Sequence, residues 1–289
     1  QGWSGVFNLT PISLAIFVAT LVNLFVAYSS WRRRTAKNGL YFAFAMSAAT
    51  GWTLAAGLDY AAVPVALKVS FAKLEYLAYT SALACFTAFA LSYAGYEAWL
   101  KKPWVKFLLI GLPAVTTLLA WTNDWHGLIW SGFTPNLQAD NVLIFHHGPA
   151  FTLIALLGYG LIFTIFVSLL AAVLKGNVLA RKQARLLLWA LLALVASNLI
   201  YLFDIFNIPG VDWSSIAFSI TGLLFLFALY GSRFMDIVPI ARTTLIERMV
   251  DGVLVLDMRG NLVDFNPAAQ TILGLNLSNL WTPWSQALA

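Results

Sequence analysis

Charge is scarce in this chain. Asp, Glu, Lys and Arg together make up 10% of its 289 residues, against about 25% in an ordinary soluble domain. That shortage excludes a water-soluble enzyme, a disordered regulator and a nucleic-acid reader built on basic patches. Cysteine is nearly absent: Cys85 stands alone, so neither a disulfide framework nor a cysteine-rich metal site is possible. Histidine occurs three times, at His126, His146 and His147, without the spacing of a metal site. No lysine falls in 184–206 or 213–233, which argues against a retinal Schiff base. No glycine-rich nucleotide loop, phosphoacceptor or cyclase motif is visible, so no residue is assigned a catalytic role, and no cofactor is indicated. Gln1–Gly2 offers no start methionine. The first apolar run is too long for a signal h-region and is followed by arginines, so no cleavable signal is expected.

Apolar residues are what the chain has instead, at 61%. A bilayer core about 30 Å thick is spanned by about 20 mostly apolar residues. Seven stretches reach that length, near 10–31, 39–58, 67–95, 104–122, 149–174, 184–206 and 213–233; the third and fifth are long enough to tilt or protrude. The expected fold class is an all-α membrane protein, a seven-transmembrane helix bundle. The net charge of +5 carries topology rather than a polyanion partner. Of 17 lysines and arginines, 15 follow runs 1, 3, 5 and 7 (Arg32 to Lys37, Lys101 to Lys106, Lys175 to Arg185, Arg233 to Arg259), and only Lys68 and Lys73 lie on the other side. The positive-inside rule then puts the N-terminus outside and the C-terminus in the cytoplasm of a multi-pass protein of the inner or plasma membrane.

Composition shifts after Phe234. Three segments are expected: a seven-transmembrane domain at 1–234, a cytoplasmic connecting helix at 235–249 bent at Pro239, and an α+β start at 250–289. In the last, Asp251–Asp257 reads as a strand, Met258–Asn261 as a turn, Leu262–Asn266 as a second strand, and Pro267 opens a helix. About 40 residues are too few to bury a core, so the sequence is expected to stop inside that unit. The tail Leu275–Ala289 carries less pattern.

Asp251-Gly-Val-Leu-Val-Leu-Asp-Met-Arg-Gly-Asn-Leu-Val-Asp-Phe-Asn-Pro-Ala-Ala269 resembles the start of a PAS domain. Pro113, Thr122-Asn-Asp-Trp-His-Gly-Leu-Ile-Trp130, His147-Gly-Pro149, Tyr159, Gln183, Asn198, Tyr201 and Asp236-Ile-Val-Pro-Ile-Ala-Arg242 resemble the N-terminal seven-transmembrane sensor module of bacterial and archaeal sensor histidine kinases. The resemblance covers the chain to about residue 274. It implies a two-component receptor whose kinase, or in some members a diguanylate cyclase, follows this chain, and a homodimer as the working form.

Several residues are candidates for binding a signal. Glu75 lies about two turns, roughly 12 Å, into run 3, where a carboxylate is costly unless paired or hydrated. With Phe71 and Tyr79 it shares one helix face at i, i+4 spacing. It is read either as the floor of an outward-facing pocket or as the partner of Lys68 or Lys73. Asn198, Tyr201 and Asp204 share an arc of run 6, as ligand contacts or as interhelical clips. The loop 122–148 is the longest connection; loops of that length are usually functional or disordered, and its aromatic content opposes disorder. It supplies Asn123, His126 and Trp130, and its segment 136–141 predicts a small hairpin or lid. Trp52 and Tyr159 are read as pocket-lining or as part of an interfacial aromatic belt. Gly158 and Gly160 are expected to allow close helix contact.

The function read from these residues is a receptor binding a small molecule or a membrane-derived lipid among the outer helix ends. A movement of run 7 would pass the signal to the PAS start. The rival is a transporter or membrane enzyme with a regulatory tail, but no internal repeat accompanies Pro113, as a transporter's interrupted helices would require.

Overall fold

In the computed structural model, which describes residues 5–35, 38–137, 139–176, 178–202, four helical positions of run 7 (Ser214, Ala217, Ile220, Leu224), 245–257, 260–276, 279 and 282–284, the first helix opens on a capping box. Thr10 accepts from the Ser13 backbone while Ser13 reaches back to the Thr10 backbone, and Pro11 takes the first helical position. Helix α1 then runs Pro11–Arg32 and ends in the arginine cluster. Helix α2 spans Gly39–Ala61 and α3 Val65–Tyr93. A single turn, α4 (Glu97–Leu100), precedes α5 (Pro103–Trp121), again opened by proline. A turn α6 (Asn123–His126) leads into strands β1 (Trp130–Pro135) and β2 (Leu143–His147). Helices α7 (Pro149–Lys175) and α8 (Val178–Leu202) follow. Runs 1 to 6 thus correspond to helices, although α2 continues past residue 58 and α8 begins six positions before 184. Most of run 7 and the segment 225–244, with the bend expected at Pro239, lie outside the described residues.

The protein is mostly helical, and among the described residues four helices are long and apolar enough to cross a membrane: α1, α3, α5 and α7. Their outer faces explain why. Leu21, Phe107, Ile110, Leu156 and Phe163 are each more than 60% exposed, an apolar surface that water would not tolerate at this scale. Helix α2 has a different composition because it has a different place. It packs against both α1 and α3, most of its residues are buried, and many are Gly, Ala, Ser or Thr. Small side chains let the backbones approach; a Cβ on Gly57 would sit 2.8 Å from the Phe17 ring. A helix held between two others leaves only a narrow outer stripe, here Leu40, Tyr41, Phe44 and Leu54.

Contacts sort the loops into two ends. At one end residues 6–8 pair with 61–63, and the β1–β2 hairpin tip meets the end of α2 through Asn141. At the other, Ser92 donates to Asn38 and Tyr93 donates to the Ala180 carbonyl. The basic clusters Arg32–Arg34 and Lys175–Arg185 therefore lie at the end opposite the hairpin.

The chain divides into two compact units, Gln1–Met235 and Asp236–Ala289. In the second, β3 (Leu254–Leu256) and β4 (Leu262–Phe265) pair antiparallel around a turn holding Gly260 at φ +80°, a conformation glycine adopts freely. Helix α9 (Pro267–Leu273) follows, capped by Asn266. The unpatterned tail returns to this hairpin: Leu262 N–H donates to the Thr282 carbonyl and Trp284 N–H to that of Gly260.

Candidate functional site: a cavity beneath the hairpin

The hairpin is pinned before it can roof anything. Asn123 is 5% exposed, and its Oδ1 accepts from the Ile129 and Trp130 amides at 2.9 and 3.0 Å while its Nδ2 donates to the Trp130 carbonyl at 3.0 Å. Strands β1 and β2 then pair from Trp130↔His147 to Pro135↔Leu143, with a bulge after Trp130. At the far tip, Lys68 Nζ donates to the carbonyls of Asp59 (2.8 Å) and Asn141 (2.6 Å), and Asn141 Nδ2 donates to that of Tyr60 (2.9 Å). The last carbonyls of α2, which have no intrahelical partner, are thus satisfied by a lysine of α3 and by the hairpin. Lys73 forms a salt bridge to Asp124 at 2.9 Å.

Under the hairpin lies a cavity of about 320 Å³, within the size range of small-molecule sites. Its walls come from α2, α3, the hairpin, α7, α8 and Ser214 of run 7. Trp130 closes the top, edge-on to Tyr76 at 5.3 Å and tilted against Phe145 at 5.5 Å. Trp52 and Tyr79 meet across the α2–α3 contact at 5.4 Å. Tyr159 of α7 donates its hydroxyl to Asn198 Oδ1 of α8. At the mouth, the exposed His147 ring stacks on Phe151 at 3.6 Å. Partial burial, then the neighbouring His146, draws its pKa below the usual histidine value, which keeps the ring uncharged at neutral pH.

Six of the nine candidate residues line this one cavity: Trp52, Glu75, Tyr79, Trp130, Tyr159 and Asn198. Asn123 and His126 are not among the lining residues. Asn123 is committed to the loop backbone, and His126 to Thr122 and the Leu128 amide. Tyr201 belongs to the last turn of α8, but its side chain, like Asp204 and Trp213, lies outside the described residues. Phe71, one turn before Glu75 on α3, is not among the lining residues and contacts Phe7 at 6.4 Å. The lysines offered as partners for Glu75 are engaged elsewhere, Lys68 with backbone carbonyls and Lys73 with Asp124. Gly158 does allow a close approach, with its Cβ position 3.4 Å from the Tyr79 hydroxyl; Gly160 has nothing within 4 Å. Sequence reasoning passed over Asp59 and Tyr60, which line the cavity, because an acid after residue 58 looked like the end of the run. The signal was the apolar stretch 61–63 that continues beyond it.

A family model described as the N-terminal 7TM region of histidine kinase matches residues 15–239. The chain belongs to this family. Every residue lining the cavity falls inside the matched segment. No curated protein matches the chain. A PAS-domain model matches residues 243–288, so this histidine-kinase sensor region is a membrane protein followed by PAS sequence.

In the PAS segment one side chain holds the local structure together. Asn266 is 2% exposed. Its Oδ1 accepts from the amides of Val253 (2.9 Å) and Ala269 (2.8 Å), and its Nδ2 donates to the carbonyls of Ile246 and Asp251, both at 2.9 Å. The helix cap, the start of β3 and the helical turn 245–248 before it converge on that amide.

Proposed function

We propose that this chain is the receptor module of a two-component signalling protein, with seven spans, the N-terminus and hairpin outside and the C-terminus in the cytoplasm. A small molecule or lipid binds in the cavity, and the signal passes through run 7 and the connecting segment 235–249 to the PAS unit and a kinase beyond it. The working form is a homodimer. The observation that carries this reading is that the cavity wall includes Ser214, so an occupant touches the run that leads to the PAS segment. Such an occupant shifts the module only if it binds two helix arrangements with different affinity. The two-ended distribution of basic residues supports the topology, and the packing of α2 between α1 and α3 supports counting it as a span.

Two measurements test this. In a Cys85→Ser background, an impermeant thiol reagent applied outside is expected to label Leu137→Cys, at the fully exposed hairpin tip, and to spare Thr35→Cys; the opposite pattern reverses the topology. For the relay, Gly-Gly inserted after Ile240 in the full-length kinase is expected to abolish the change in autophosphorylation on signal while ligand affinity stays constant. Output of full amplitude from that variant would move the coupling route to another cytoplasmic contact, with Lys175–Arg185 the first to examine.

A further inference from the structure

Asp59 is 8% exposed, lines the cavity, and its Oδ1 accepts no hydrogen bond. A buried carboxylate oxygen without a donor is expensive, so a donor is the missing part of this site. Lys68 lies near but turns its ammonium to two backbone carbonyls, and it is not on the cavity wall. It offsets part of the Asp59 charge. Glu75, which is on the wall, supplies a second acidic side chain, and among the described residues the wall contains no lysine or arginine. An anionic ligand would therefore meet two acidic side chains on this wall.

The wall that carries these acids also carries the rings of Trp52, Tyr60, Tyr76, Tyr79, Trp130 and Tyr159. Aromatic faces attract a desolvated cation, and rings grouped about one point are the usual means of holding an ammonium. Toward the opposite end the wall turns apolar, through Leu83, Phe86, Phe89, Ile165, Leu169 and Leu187. Glu75 and Phe89 are 14 positions apart on one helix, about 21 Å at 1.5 Å per residue. We infer that the cavity takes an amphiphilic organic monocation, a primary ammonium whose N–H groups donate to Asp59 among the aromatic rings and whose apolar tail points away from the hairpin. This rests on reading the cavity as the ligand site. A neutral hydroxyl would supply a donor for Asp59 Oδ1 but no opposite charge.

The test uses the whole chain in nanodiscs of zwitterionic lipid, titrated calorimetrically with hexylammonium, hexanol and hexanoate against empty nanodiscs. Hexylammonium is expected to bind saturably, about tenfold or more tighter than hexanol, as a charge-assisted hydrogen bond should, with hexanoate weakest. Asp59→Asn is expected to remove that advantage, so that hexylammonium and hexanol bind with similar affinity. Glu75→Gln, which leaves the Lys68 contacts in place, is expected to reduce it too, and serves if Asp59→Asn does not fold. Equal binding of hexanol or hexanoate, or an ammonium preference that survives Asp59→Asn (or Glu75→Gln, where Asp59→Asn does not fold), overturns the cation inference and leaves the ligand cavity standing. Saturable binding by none of the three probes overturns both.

Discussion

Asn266→Ala is expected to cost the PAS segment about 4 kcal/mol, since each buried polar group left without its partner costs about 1–3 kcal/mol and this change strands two amides and two carbonyls. Water reaches some of them, which keeps the total below the sum. The measurement is hydrogen exchange on the whole chain in nanodiscs. The amides of Val253 and Ala269 lose protection in the variant while those of α3 and α7 keep theirs. Asn266→Asp separates the halves of the effect: it retains both acceptor contacts and loses both donations, so the cap at Ala269 survives and the attachment to Ile246 does not. Unchanged protection at Val253 and Ala269 in the alanine variant would mean that the side chain does not hold this unit together.

Gly148→Ala is expected to disrupt the roof of the cavity. The backbone there, at φ −89° and ψ 177°, is open to any residue, so conformational strain is not the reason. Space is. A Cβ would lie 2.4 Å from the carbonyl oxygens of both Gly127 and Leu128, and backbone cannot rotate aside as a flexible side chain can. The Gly148 amide also donates to the Ile129 carbonyl at 2.8 Å, a bond lost when the strand moves. Overpacking of this kind costs about 3 kcal/mol, concentrated where β2 enters α7. Thermal unfolding of the purified protein should shift down, and limited proteolysis should cut within 130–147 at enzyme concentrations that leave the parent intact. An uncut hairpin with a parental melting temperature would show that the loop 127–129 yields easily, and that the roof is not rigid.

Much of the fold is legible in the sequence because its signals are local. Proline at 11, 103, 149 and 267 marks helix starts, apolar runs give the helices themselves, and the polar stretch 136–141 between aromatic segments becomes the hairpin turn. Glu75 was readable because a carboxylate inside an apolar run is conspicuous wherever the run folds. Asp59 was not, because at the end of a run it is indistinguishable from a solvated boundary residue. Only the return of α3 and the docking of the hairpin, through Lys68 and Asn141, enclose it. Asn123 was misleading for the reverse reason. A polar residue in an aromatic loop looks available to a ligand until the backbone at 129 and 130 curls back and occupies all of its capacity but one N–H. Glu75, Tyr159 and Asn198, on three different helices, share one cavity through tertiary packing, which no spacing within one segment encodes.

The clip at the end of α2 also bears on how the protein is made. Helices α1, α2 and α3 pack against neighbours in sequence, and a growing chain can assemble them in the order of their synthesis. Asn141, by contrast, is 81 residues from Tyr60 and 73 from Lys68, contacts of the slow, non-local kind. Until residue 141 is delivered to that end of the bundle, the carbonyls of Tyr60 and Ala61 lack the Asn141 amide and the cavity has no roof. Insertion of the helices and roofing of the cavity are thus separate events in biogenesis. A chain halted after α5 would leave the α2 terminus without Asn141 and the aromatic wall of α3 without its roof.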